Sequence, residues 1–126
     1  MQYVISASLL LAALIHILPI SGLFGLNRLE KLYGVAVTDK NTEILLRHRA
    51  VLFGLLGVFF ALAAMFPVLR LFAFGAGLIS TVSFLVVARI VGGYNRQLSR
   101  VVAADIIAIA SLVIGLLLSM LSDGGA

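Results

Sequence analysis

The chain has 126 residues, 63% of them hydrophobic and 11% charged, with a mean hydropathy of +1.22. Soluble domains are about 45–50% apolar and about 25% charged, so a soluble enzyme or nucleic-acid binder is excluded and one membrane domain over residues 1–126 is expected. The absence of cysteine removes disulfides, thiolate metal sites, covalent c-type haem attachment and thiol redox chemistry. The formal net charge of +4 reads as membrane topology, because the basic residues flank apolar runs and form no separate basic domain. No nucleic-acid partner is expected.

The first apolar run covers about residues 3–26, near the ~20 residues that cross a bilayer. No Lys or Arg precedes Arg28, and the run is too long for a signal-peptide core, so it reads as a transmembrane helix. Pro19 lacks a backbone donor and crowds the Ile15 carbonyl, which predicts a kink. In the connection Asn27 to Asn41, Leu29, Leu32 and Tyr33 alternate with Arg28, Glu30 and Lys31. This pattern predicts a short interfacial helix with Tyr33 at headgroup level. Gly34 ends it, and Asp39 or Asn41 caps the next helix.

The second helix runs from about Lys40 to Phe66, with 45–66 as its membrane span. Arg47, Ala50, Gly54, Gly57, Ala61 and Ala64 share one face, a seam of small residues on which another helix can lie close. Glu43 precedes Arg47 by four residues, the favourable order for an ion pair. Phe53, Leu56 and Phe60 form a different, bulky face, and Arg49 follows it, which directs Arg49 to lipid phosphate. Pro67 opens the third helix, whose span is about 69–92. Its seam is Gly77, Thr81, Phe84, Ala88 and Gly92, with Ser80 and Ser83 nearby.

The fourth helix runs from about Ser99 to Leu121, with 101–121 spanning and a seam of Ala104, Ala108, Ser111, Gly115 and Ser119. Residues 122–126 read as a disordered polar tail. Gly25-Leu26-Asn27-Arg28 resembles Gly93-Tyr94-Asn95-Arg96, which is either a faint parallel repeat or ordinary capping chemistry. The expected fold is all-α: a four-span up-and-down bundle with an interfacial segment after the first helix. Eight of nine Lys and Arg flank the first and third connections, and only Arg70 lies at the other end. This places the chain in a bacterial inner membrane with both termini outside.

Five residues are candidate pocket residues: His16, Glu43, Arg47, Arg89 and Asp105. All belong to the inner half of the bundle, which points to a polar cavity there; collection of charge by the positive-inside rule is the plainer reading. Arg89 and Asp105 lie equally far from Gln97 and so at similar depth, where either an ion pair between the third and fourth helices or snorkelling alone is expected. His16 is either a neutral imidazole bonded to Ser80, Thr81 or Ser83, or a proton relay or substrate contact, or, least of all, a haem ligand. No zinc, nucleotide or nucleophile motif is present. No catalytic residue, cofactor or metal is assigned.

Leu29-Glu30-Lys31-Leu32-Tyr33-Gly34, then Leu46-Arg47 leading into Ala50, Gly54 and Gly57, resembles the DoxX-like group of small bacterial four-helix membrane proteins. The resemblance covers the first half of the chain and implies a four-helix integral membrane bundle. Most members of that group have no assigned activity, and some are associated with quinone-linked sulphur oxidation. Without cysteine this chain has no support for thiol chemistry, so that activity is not carried over. Arg47 is the one position transferred, as a structural or pocket arginine.

Beside a purely structural role, in which His16→Ala changes only stability, two functional readings stand together. In one, a small non-enzymatic membrane protein binds or transports an amphipathic or anionic molecule, as a homo-oligomer if it transports, or serves as a subunit of a larger membrane complex. In the other, a membrane-embedded enzyme acts on a lipid or quinone, with His16 as acid or base and Arg47 or Arg89 holding an anionic head.

Overall fold

The structure, a computed structural model, describes residues 1–124. Among these, four helices are long and apolar enough to cross a membrane: Gln2–Phe24, Lys40–Met65, Pro67–Val91 and Arg96–Gly124. At ~1.5 Å per residue the shortest reaches about 35 Å, against a hydrocarbon core of ~30 Å. The elements are α1 (Gln2–Ile17), a 3-10 segment (Leu18–Phe24), α2 (Leu26–Tyr33), α3 (Lys40–Met65), a 3-10 turn (Pro67–Leu69), α4 (Arg70–Val91) and α5 (Arg96–Gly124).

Pro19 changes the helix type where a simple kink is predicted. The α-helix stops at Ile17 and continues as 3-10 to Phe24. With no N–H at Pro19, the Ile15 carbonyl loses its α-helical donor, and the tighter i→i+3 winding is the local alternative. Next comes α2, whose C-terminal Gly34 sits at φ 63° and donates its N–H to the Glu30 carbonyl at 2.8 Å. That left-handed conformation favours glycine.

Tyr33 is buried with Leu29 and Val37, packed against Leu98 and Val101 of α5. So α2 folds beneath the bundle as a floor. Asn95 fastens it there. Its Nδ2 donates to the carbonyls of Tyr33 (2.6 Å) and Gly34 (3.2 Å), while its Oδ1 accepts from the Leu98 N–H at 2.8 Å. This cap starts α5 at Arg96, three residues earlier than predicted. Asp39 takes the corresponding role for α3, accepting from the N–H groups of Asn41 and Thr42 at 3.3 Å each.

At the far end α5 extends through Ser122, Asp123 and Gly124, so the polar tail is helical there. Gln2 Nε2 donates to Ser122 Oγ at 3.0 Å and ties α1 to this last turn. The final two residues of the expected tail lie outside the described ones.

The seams pack largely as their small residues predict. Ala50, Gly54, Gly57 and Ala64 of α3 are buried. A Cβ on Gly54 would lie 2.6 Å from Ile20 Cδ1, and one on Gly57 would lie 3.1 Å from the Ala13 carbonyl oxygen. Gly77 meets Leu112 and Phe60, and Gly115 meets Ser8 and Phe74. The resulting ring is uneven. α1 packs closely on α3 and α5, and α4 packs closely on α5, but α3 and α4 barely touch. The main core, with Ile5, Leu9, Phe60, Phe74 and Leu112, fills the half of the bundle remote from α2.

Candidate functional site

His16 continues the buried stripe Ile5, Leu9, Ala12 along α1, at steps of four, three and four. It is 1% exposed. Its Nδ1 lies 2.8 Å from the Ala12 carbonyl oxygen. A carbonyl only accepts, so Nδ1 carries the hydrogen and Nε2 of the neutral ring is left as an acceptor. Nε2 is buried and has no partner among the described residues. Two of the three partners expected for this ring donate elsewhere, Thr81 to the Gly77 carbonyl at 2.8 Å and Ser83 to the Ser80 carbonyl at 3.0 Å. The imidazole instead packs edge-on to Phe60 at 4.9 Å and tilted to Phe53 at 5.6 Å between ring centres.

Asp105 heads the buried stripe Asp105, Ala108, Leu112, Gly115 of α5 and is 6% exposed. The ion pair expected between Arg89 and Asp105 is not formed; both ion pairs among the described residues involve Glu43. Depth alone does not make a contact. Ala88 lies in line with the buried stripe of α4, and Arg89, ~100° further round the helix, faces outward and is exposed.

Arg49 takes the position the sequence assigns elsewhere. The face of α3 that bears Phe53 and Phe60 points into the bundle, with Phe60 fully buried. Arg49, one turn before Phe53, comes inward with it. Its guanidinium carbon stands 4.5 Å from the centre of the Phe53 ring, 5.2 Å from Phe84 and 5.9 Å from Tyr33. The ring faces attract the charge, and of the three only Tyr33 carries a hydrogen-bond acceptor, its hydroxyl. Among the described residues Arg49 forms no ion pair.

These side chains meet around a cavity of about 260 Å³ at the basic end of the bundle. His16, Pro19, Arg49, Phe53 and Asp105 form its walls; Lys31 and Tyr33 of α2, with Gln97 and Arg100 of α5, form its floor. Of the five sequence candidates, His16 and Asp105 line it, and Glu43, Arg47 and Arg89 do not. Arg47 is engaged as a clip: its Nε donates to the Leu23 carbonyl at 3.0 Å and its Nη1 to Glu43 at 3.2 Å. It thereby holds the end of the 3-10 segment against α3. The sequence offers one signal for Arg49, an arginine four residues before an aromatic on the face beside the seam. It offers none for the floor residues, which arrive from two separate connections.

A second polar cluster lies at the opposite end, where sequence reasoning sees a lone flanking charge. Arg70 is buried and donates to Gln2 Oε1, to Ser6 Oγ at 3.2 Å and to the Ala64 carbonyl at 3.5 Å. It links α1, α3 and α4 without any carboxylate.

Fold and site together define an all-helical chain with four candidate membrane-crossing helices around an off-centre polar cavity. Among the described residues no group of three or more His, Cys, Asp or Glu could hold a metal ion. Comparison of the chain with protein-family models, curated proteins and solved structures finds no match.

Proposed function

We propose that this chain is a multi-pass protein of a bacterial inner membrane, with both termini outside, that binds a small amphipathic or anionic molecule in the cavity at its basic end. The observation that carries this reading is Arg49: a guanidinium beside the Phe53, Phe84 and Tyr33 rings, in no ion pair among the described residues, on the wall of a cavity that it shares with Asp105. A planar cation with free donors favours a carboxylate or phosphate. Arg100 and Lys31 add positive charge below it, and His16 Nε2 and Asp105 offer places for a proton. Orientation follows from the basic residues that flank the α2 and α4–α5 connections. Kinship with the DoxX-like proteins belongs to the same proposal, supported by the sequence pattern around Tyr33 and Arg47. Four spans enclose no wide pore, so transport would require a homo-oligomer or a larger membrane complex.

Native mass spectrometry of the protein released from nanodiscs tests this. The wild type carries a stoichiometric anionic species and Arg49→Gln loses it. Bare protein, or identical adducts in both, contradicts the reading.

The enzymatic alternative has one observation in its favour. The Ala12 carbonyl fixes Nδ1–H and leaves Nε2 as the proton acceptor, the state a general base requires. On that reading His16→Ala folds and binds normally but no longer turns over the bound lipid or quinone. Unchanged chemistry on the bound species in that variant removes it.

A further inference from the structure

Beside this cavity α3 and α4 touch less than the other neighbouring helices and leave a gap. A second space of about 330 Å³ lies in that gap, between Leu52 and Leu56 of α3 and Ser80, Phe84 and Val87 of α4. Arg49 and Phe53 line both spaces, so they form the partition between them. Leu52 and Val87 are more than half exposed, so the outer space opens on the apolar flank of the bundle. Its lining is aliphatic and aromatic apart from Arg49 and the serines.

Two magnitudes decide what fits. Small-molecule sites occupy ~300–1,000 Å³; the inner cavity alone falls below that range, and the two spaces together fall inside it. The inner cavity is therefore the size of a small head, and the apolar groove supplies the room for a chain. Depth agrees. α3 is 26 residues long, about 39 Å at ~1.5 Å per residue, which exceeds a ~30 Å hydrocarbon core by about 9 Å. With that excess at the basic end, Arg49, about 14 Å along the helix, sits about 5 Å inside the core. A carboxylate reaches that level only beside a compensating charge, which Arg49 supplies.

Building on the cavity-binding reading above, we propose that the α3–α4 groove is the lateral doorway and acyl-chain site of the ligand, a single-chain fatty carboxylate. Its head pairs with Arg49, and its chain runs past Leu52, Leu56 and Val87. Rotation of Phe53 admits the head to the His16 side of the partition.

The chain has no native cysteine, so single reporters are simple to place. Val87→Cys (groove), Ala104→Cys (inner cavity) and Ile79→Cys (the exposed flank outside the groove) each receive a bimane label in nanodiscs. A long-chain fatty acid with a mid-chain doxyl group is then titrated. The proposal expects saturable quenching at Val87→Cys at least twice the Ile79→Cys background. Adding Arg49→Gln, or filling the groove with Leu52→Trp, abolishes it. Saturable quenching at Ala104→Cys with only background at Val87→Cys overturns the doorway and leaves the cavity reading standing. Background at all three positions overturns the fatty-carboxylate doorway, and the anion retained in native mass spectrometry then decides the cavity reading separately. Equal competition by an unlabelled diacyl anionic phospholipid overturns the single-chain carboxylate.

Discussion

Arg47 and Arg49 lie two residues apart on one helix and do different work because ~200° of helical rotation separates them. Arg47 turns toward the 3-10 segment and caps the Leu23 carbonyl; Arg49 turns into the bundle among Phe53, Phe84 and Tyr33. Sequence periodicity exposes the first and misplaces the second. The small-residue seam marks one buried face of α3, but an aromatic face suits lipid and protein interior equally well, so the second buried face has no signature. His16 and Asp105 were legible for the opposite reason: a polar group within an apolar span is costly toward lipid and turns inward. Arg70 was read by its position at the end of a helix, which hides its burial. Replacing it by Leu removes the tie from α4 to Gln2, Ser6 and the Ala64 carbonyl, which then keeps only the Ser6 hydroxyl at 3.0 Å. Each lost hydrogen bond costs about 0.5–1.5 kcal/mol, so Arg70→Leu lowers the thermal unfolding midpoint in nanodiscs. It leaves ligand retention at the distant cavity unchanged; loss of ligand at an unchanged midpoint would contradict this assignment.

At the scale of elements, the helices were legible throughout and their ends less so. Apolar runs of spanning length leave little choice of structure, since each backbone group within lipid needs an internal partner. The ends depend on single caps. Asn95 starts α5 early because its amide bonds both to α5 and to the end of α2, a pairing that joins residues about sixty apart and leaves no local trace. The contact of α3 with α1 was legible in the glycines and gives a sharp contrast. Gly57→Leu drives a side chain toward Ile17 and the Ala13 carbonyl, and such overpacking costs about 1–3 kcal/mol. Gly75 faces open space, so Gly75→Leu leaves stability unchanged. Denaturation by SDS, titrated from mild detergent, measures both; equal midpoints for the two variants would refute the close α1–α3 approach.

At the scale of the whole molecule, the ring is tight at three interfaces and loose at α3–α4. No single helix shows this in its sequence, because looseness is a property of a pair. The seam of α4 illustrates it. Gly77 and Thr81 are buried as predicted, whereas Gly92 at the basic end is exposed. The charge distribution, by contrast, is plain in the sequence and makes a topological prediction. With the α2 and α4–α5 connections inside, Arg28→Cys and Arg96→Cys react with an impermeant maleimide only after cells are opened. Val68→Cys, in the α3–α4 turn, reacts in intact cells. Labelling of all three together in intact cells would overturn the orientation.

The central claim is that the basic end of the bundle holds an anion through Arg49 while Arg47 only fastens the wall. Arg47→Gln and Arg49→Gln remove the same charge from the same helix, so comparing them side by side isolates position. In nanodiscs, the thermal unfolding midpoint and the retained species by native mass spectrometry are measured on both variants. The account predicts that Arg49→Gln keeps its midpoint and binds the anion about ten- to a hundredfold more weakly, the ~1.5–3 kcal/mol of a charged hydrogen bond. Arg47→Gln instead keeps its ligand and melts earlier. Retention of the anion by Arg49→Gln, or its loss from Arg47→Gln at an unchanged midpoint, would contradict the account.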